Sequence, residues 1–172
     1  INFMVDPATK IDVESKAVGT QSGKSFDYDY LVIATGSRIR PDTIPGMTEG
    51  AEWFYDLDGA RAMREALDNF DGGRVVINVN APHKCPVAPL EITFMIRDYL
   101  EGRGLLEKSE LTYTYPIGRL HALEPVAHWA AAEFDKCGIK SEIFFNARDV
   151  DHKKKEIWSE EEVSLDYDLL VT

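Results

Sequence analysis

Cys85 is the residue of this chain whose neighbours in sequence best suit chemistry. It follows His83 and Lys84, and it precedes Pro89, a residue type that suits the first turn of a helix. Nearby cations and a helix N-terminus both favour the thiolate, which is the nucleophilic form of cysteine. On the residues alone, Cys85 is either a reactive thiol or a buried small hydrophobic residue, and both interpretations stay open.

The second cysteine, Cys137, has no such neighbours. It precedes Gly138 and continues the apolar face of a predicted helix, so we expect it to pack as a small hydrophobic residue. The histidines show no spacing that would complete a ligand set with Cys85. The sequence therefore predicts no metal site.

The turn that carries Cys85, residues 78–91, connects a predicted strand to a predicted helix. In a doubly wound fold this is where a ligand or a reacting group lies. A nucleotide-binding turn uses glycines so that backbone amides can approach a pyrophosphate, but this turn has no glycine and three prolines. We therefore expect no nicotinamide nucleotide to bind here by the usual route.

A repeat organises the elements around this turn. Residues 11–32 and 150–171 align without a gap at an offset of 139, with eight identities in 22 positions. A period this long predicts two related domains, each ending in a hairpin and then a buried strand. In the first copy that strand is Leu31–Ala34. The second copy stops at Thr172, inside its own strand, so we expect the chain to be a piece of a longer protein.

Strands and helices alternate after residue 50. Asp58 is expected to cap the first long helix, and Trp129 is expected to face inward on the last. The predicted order is a helix from residue 58, a strand over 74–79, a helix from Pro89, a strand over 111–115, a helix from Pro125 and a strand over 139–145. This order predicts an α/β, Rossmann-like fold with a parallel central sheet and a β-hairpin or β-meander layer.

Composition excludes several classes of function. The chain has 172 residues and a formal net charge of −11, which argues against nucleic acid as a partner. No apolar stretch approaches the roughly 20 residues of a membrane span, and two cysteines do not make a disulfide framework.

Two stretches resemble a known flavoprotein family. Residues 28–37, YDYLVIATGS, are similar to the "ATG" segment of the pyridine nucleotide-disulfide oxidoreductase superfamily, where a strand end approaches FAD. Residues 83–91, HKCPVAPLE, are similar to the cysteine loop, roughly KCPPxPxE, of sulfide:quinone oxidoreductases and of the flavoprotein subunit of flavocytochrome c sulfide dehydrogenases.

The resemblance covers essentially the whole chain and implies roles for particular residues. Residues 1–50 would be the end of the first part of the FAD-binding domain and the crossover, and residues 51–172 the second, NAD(P)-binding-like domain. Ala34, Thr35 and Gly36 would contact FAD, and Cys85 would be the redox thiol that oxidises sulfide. Tyr55 stands where some members of the family carry a further cysteine.

The resemblance also implies cofactor, partners and location. The intact enzyme would pass electrons through FAD to a quinone or a cytochrome, in the cytoplasm or at a membrane surface reached through segments outside this sequence. We expect the isolated chain not to retain FAD and to be inactive. Two alternatives stay open: an NADH-linked flavoprotein of the same architecture, and a catalytically inactive Rossmann-like interaction module.

Overall fold

The computed structural model describes all 172 residues and divides them into two compact units, Ile1–Ser37 and Arg38–Thr172. The resemblance to a family implies a domain boundary at residue 50. A division of the chain into compact units does not test that boundary, so it stays a prediction.

The strands of the first unit are β1 (Ala8–Asp12), β2 (Ala17–Thr20) and β3 (Ser25–Asp27). They form an antiparallel sheet in the order β1-β2-β3. A polar turn over residues 21–24 joins β2 to β3, and Gly23 takes the positive φ of 84° that this turn requires.

The buried strand predicted over Leu31–Ala34 is wrong for this unit. These residues form no strand, and the side chains of Val32 and Ile33 are 86% and 64% exposed. A strand buried on both faces needs a hydrogen-bonded neighbour and covering layers. No strand in the first unit pairs with this segment, so its apolar composition alone does not place it in a sheet.

The elements of the second unit are α1 (Met47–Gly50), α2 (Leu57–Asp68), β4 (Gly73–Asn78), α3 (Ala88–Gly102), β5 (Ser109–Tyr115), α4 (Glu124–Cys137), β6 (Lys140–Ile143), β7 (Ala147–Asp151), β8 (Glu156–Ser159), β9 (Ser164–Asp166) and β10 (Leu169–Val171). Four strands form a parallel sheet in the order β10-β4-β5-β6, and three form an antiparallel sheet in the order β7-β8-β9.

Successive side chains of β4 point to opposite faces of the sheet, and this explains the layers of the unit. Val75 and Ile77 face the helices and join one core with apolar residues of α2, α3 and α4. Val76 faces the other way and joins a second core with Met47, the antiparallel sheet and Leu170. The parallel sheet therefore lies between a helical layer and a β-meander layer, which confirms the predicted α/β, Rossmann-like fold.

Two details of the helices differ from the sequence prediction. Asp56, not Asp58, caps α2, because the Asp56 carboxylate accepts a hydrogen bond from Gly59 N at 2.7 Å. Trp129 is 54% exposed, whereas Ala127, Ala130 and Phe134 form the buried stripe of α4. None of the helices combines the length and the apolar character needed to cross a bilayer.

Candidate redox-thiol site

Cys85 lies in the loop that leaves the carboxyl end of β4 and enters α3. Its side chain is half-buried, and its thiol is free. Parallel strands bring their carboxyl ends to one edge of the sheet, which is where ligands and reacting groups lie in such folds. The local sequence thus places a thiol at the edge of the sheet where chemistry is expected.

Two tyrosines from distant parts of the chain hold this loop. Tyr55 Oη donates to the carbonyl oxygen of Cys85 at 3.2 Å. Two residues before Cys85, His83 Nε2 lies 3.1 Å from Tyr115 Oη at the end of β5, in hydrogen-bond contact. Hydrogen bonds therefore hold the loop at the residue before Lys84 and at the residue after it.

Burial sets the electrostatics of both tyrosines. It raises the pKa of Tyr115, and the N–H of Ala122 and the charge of Arg119 partly offset this effect. Burial also raises the pKa of Tyr55, and negative charge on Cys85 raises it further. Both phenols therefore keep their protons in the neutral range, so that each can donate a hydrogen bond to the loop.

The start of α3 offers little to a phosphate. Pro89 has no amide hydrogen, and the N–H groups of Leu90 and Glu91 already donate to the carbonyl of Val87 at 3.0 and 3.1 Å. A pyrophosphate binds a helix N-terminus through free backbone amides. The first turn of α3 therefore offers few free donors to a dinucleotide.

Sequence reasoning missed the buried polar side chains at the same sheet edge. Asn78 is the last residue of β4, and its Oδ1 accepts a hydrogen bond from Thr114 Oγ1 at 2.9 Å. His121 follows β5, and its Nδ1 accepts from Leu123 N at 3.0 Å. Neither Asn78 Nδ2 nor His121 Nε2 has a partner in the chain. The signal in the sequence was a polar residue at the end of an apolar run, as at Asn78.

Cys137 lies away from this loop. It ends α4 just before β6 begins, at the amino edge of the parallel sheet, and its carbonyl accepts from Arg97 Nε at 3.4 Å. Two clefts of about 470 and 420 Å³ also open at that amino edge, and Cys137 lines the smaller one. Cys85 lines neither cleft, so the case for Cys85 depends on its loop and not on cavity size.

The predicted flavin segment lies in the first unit. Ala34, Thr35 and Gly36 are exposed, and their backbone amides make no hydrogen bond within the chain. Gly36 has a φ of 75°, and a Cβ at this position would meet no atom within 4 Å. Open space beside free amides is compatible with a ligand that approaches the backbone closely.

The chain is similar to known oxidoreductases. Residues 1–78 match the family model "Pyridine nucleotide-disulphide oxidoreductase". A mitochondrial sulfide:quinone oxidoreductase of Dictyostelium discoideum is 31% identical over 118 residues, which are 64% of this chain and 26% of that protein. The alternative NAD(P)H-ubiquinone oxidoreductase C1 of Arabidopsis thaliana is 32% identical over 105 residues, 58% of this chain and 20% of that protein.

The fold agrees with that of a solved relative. The sulfide:quinone oxidoreductase from Aquifex aeolicus superposes with a TM-score of 0.77 at 21% identity, over 96% of this chain and 41% of that one. At this level of identity the likeness shows the fold. The chain thus spans well under half the length of each of these proteins.

Proposed function

We propose a function on the premise that this chain belongs to the pyridine nucleotide-disulphide oxidoreductases and is sulfide:quinone oxidoreductase-like. The intact protein would be an FAD-dependent oxidoreductase in which Cys85 takes up sulfur from sulfide. Electrons would leave to a quinone or a cytochrome. A membrane quinone would be reached at the membrane surface, with the rest of the protein in the cytoplasm.

The loop of Cys85 is the observation that carries this proposal. Its thiol is half-buried at the carboxyl edge of the sheet, one turn before α3 begins. Hydrogen bonds to two tyrosines hold the loop, and the amides of Leu90 and Glu91 in the first turn of α3 are already bonded. A thiol that must accept sulfur needs partial access, a fixed position and support for its charged form.

The chemistry at Cys85 is a two-electron oxidation. Joining one sulfide sulfur to Cys85 Sγ forms an S–S bond and releases two electrons and two protons. FAD, when bound, supplies the electron acceptor for this step. The chain's own contribution is to hold the thiol in place, just before the start of α3.

Ala34, Thr35 and Gly36 are the residues that would hold FAD in this chain. They fit the group because their amides are free and because Gly36 leaves room beside the backbone. The same proposal assigns residues 1–50 to the first part of the FAD-binding domain and residues 51–172 to the second, NAD(P)-binding-like domain.

An NAD(P)H-linked reductase is the second candidate, favoured by the similarity to the Arabidopsis thaliana NAD(P)H-ubiquinone oxidoreductase. The start of α3 weighs against it, because two of its first-turn amides are already bonded and Pro89 supplies none. Calorimetric titration with NADH separates the two candidates. Low-micromolar binding would favour the reductase, and no measurable binding would favour the thiol enzyme.

Sulfur transfer to Cys85 tests the proposal directly. Inorganic polysulfide carries its own oxidised sulfur, so the thiolate attacks one sulfur, an S–S bond breaks and a shorter polysulfide leaves. We expect Cys85 to gain the mass of one sulfur atom before Cys137 does, with Cys85→Ser and Cys137→Ser as matched controls. Equal gain at both cysteines, or gain at Cys137 alone, would refute the redox role and favour an interaction module.

A further inference from the structure

We propose that Tyr55 is a positioning residue that holds Cys85 in place. The importance of this position for catalysis rests on the proposed redox function. Thirty positions separate the two residues in sequence, yet the Tyr55 hydroxyl donates to the carbonyl oxygen of Cys85 at 3.2 Å. A hydrogen bond from a distant, fixed side chain restricts where the thiol of that residue can lie.

The backbone on either side of Tyr55 is firmly attached. Glu52 pairs with β10, since its N–H donates to Leu170 O and its carbonyl accepts from Thr172 N, both at 2.8 Å. On the other side, Asp56 caps α2 through Gly59 N at 2.7 Å. Tyr55 is thus anchored by a sheet and a helix, and not by the loop that it contacts.

The ring of Tyr55 is also restrained. It stacks on Phe54 with ring centroids 4.6 Å apart and an angle of 24° between the planes. One residue further back, the Trp53 ring packs against Gly59 so closely that a Cβ there would lie 2.2 Å from Trp53 Cδ1. These contacts leave the hydroxyl of Tyr55 a small range of positions.

The Cys85 loop has few other attachments. Between residues 81 and 86, the hydrogen bonds to the rest of the chain are the one from Tyr55 to Cys85 and the one between His83 and Tyr115. Removal of the Tyr55 hydroxyl leaves the stretch from Lys84 to Pro86 without a hydrogen bond to another element. The contact therefore decides whether the thiol is held or free to move.

Tyr55→Phe removes the hydroxyl and keeps the stacked ring. Loss of a neutral hydrogen bond worth about 1 kcal/mol should raise the open population of the loop about fivefold. Trypsin should then cleave after Lys84, which is exposed, about fivefold faster, and iodoacetamide should label Cys85 faster with no change at Cys137. Tyr99→Phe is the matched control, because that tyrosine donates its hydroxyl to Asp68 on α2, away from the loop.

A titration separates positioning beside the thiol from a purely structural contact. The full chain is labelled with 3-fluorotyrosine, and Tyr55→Phe assigns the resonance of residue 55. Because negative charge on Cys85 raises the pKa of Tyr55, Cys85→Ser should lower that pKa and leave the resonance of Tyr99, whose hydroxyl donates to Asp68, unchanged. This arm keeps the hydroxyl of residue 55 in place and needs Tyr55→Phe only to assign its resonance.

The outcomes distinguish this inference from the proposed function. If Cys85 accepts sulfur but Tyr55→Phe changes neither cleavage nor labelling, and Cys85→Ser leaves the titration of residue 55 unchanged, the positioning role is overturned. If cleavage, labelling and titration respond as expected but Cys85 accepts no sulfur, the positioning role stands and the redox function fails.

Discussion

The two copies of the repeat fold alike but are buried differently. In the first copy Ile11 pairs with Val18, and in the second Val150 pairs with Ile157, at the same offset of 139. Each copy also has a shift in the register of this strand pairing, between Ala8 and Lys10 in the first and between Ala147 and Asp149 in the second. Local sequence therefore determines the hairpin in both units.

The turns of the two copies use the same hydrogen bonds. Asp12 Oδ1 accepts from Ser15 N, and Asp151 Oδ1 accepts from Lys154 N, both at 3.0 Å. The residue that closes each turn is a lysine with positive φ, 51° at Lys16 and 58° at Lys155. These bonds span three residues, so they form whatever surrounds the hairpin.

The surroundings make the difference. Leu170 is 1% exposed because β10 pairs with β4 and faces the second core, whereas its counterpart Leu31 is 37% exposed. The next residues differ more, at 0% for Val171 and 86% for Val32. An apolar strand is buried only where the rest of its unit supplies a neighbouring strand and covering layers.

Truncation of the equivalent leucines should give the largest contrast. Leu170→Ala removes a fully buried side chain and should lower the free energy of unfolding by about 2–5 kcal/mol. Leu31→Ala removes a partly exposed side chain and should cost less than about 1 kcal/mol. Urea denaturation of both variants checks this, and equal losses would show that the first copy is as well packed as the second.

The equivalent aspartates should differ by a smaller amount. Asp168 accepts hydrogen bonds from Arg74 N at 2.8 Å and Arg74 Nε at 3.3 Å, which ties the hairpin to β4. Its counterpart Asp29 makes no hydrogen bond within the first unit. We expect Asp168→Ala to lower the free energy of unfolding by about 1 kcal/mol, because the side chain is partly exposed to solvent. Asp29→Ala should leave this free energy nearly unchanged. Urea denaturation measures both variants. A loss at Asp29 that matches the loss at Asp168 would contradict this assignment.

The turn aspartates should behave alike. Hydrogen bonds from Ser15 lower the pKa of Asp12 from 3.8 to about 2, and backbone bonds from Lys154 and Lys153 lower the pKa of Asp151. Because both pKa values are lowered in the folded state, the stabilisation is present above pH 3.8 and is lost as the pH falls through the folded values. Carboxyl carbon NMR checks both titrations, and a value near 3.8 for either residue would rule out the shared turn.

Much of the fold follows from the sequence. The alternation of β4, α3, β5, α4 and β6 was predictable because apolar spacing reports the face that each element buries. The buried strand over residues 31–34 was wrong because an apolar run carries no information about whether a partner strand is present. The prediction of Asp58 as the cap was wrong because Asp56, two residues earlier, is the same residue type, and only backbone geometry shows which of the two lies at the helix start.

The candidate site was predictable in its thiol but not in its supports. Cys85 stood out through its neighbours in sequence and through the resemblance of residues 83–91 to a family loop. Tyr55 and Tyr115 reach the loop from 30 and 32 positions away, and no local pattern encodes such contacts. The roles of Cys85, Ala34, Thr35 and Gly36 remain predictions.

Competitive alkylation of the two cysteines tests the central claim most directly. With iodoacetamide limiting and both sites read by mass spectrometry, Cys85 should react several-fold faster than Cys137. Both thiols are half-buried, but Cys85 lies just before the start of α3, whereas Cys137 lies at the end of α4. The ratio should persist in the intact fold and vanish in urea. Equal rates in the folded chain, or faster reaction at Cys137, would contradict the assignment of Cys85 as the redox thiol.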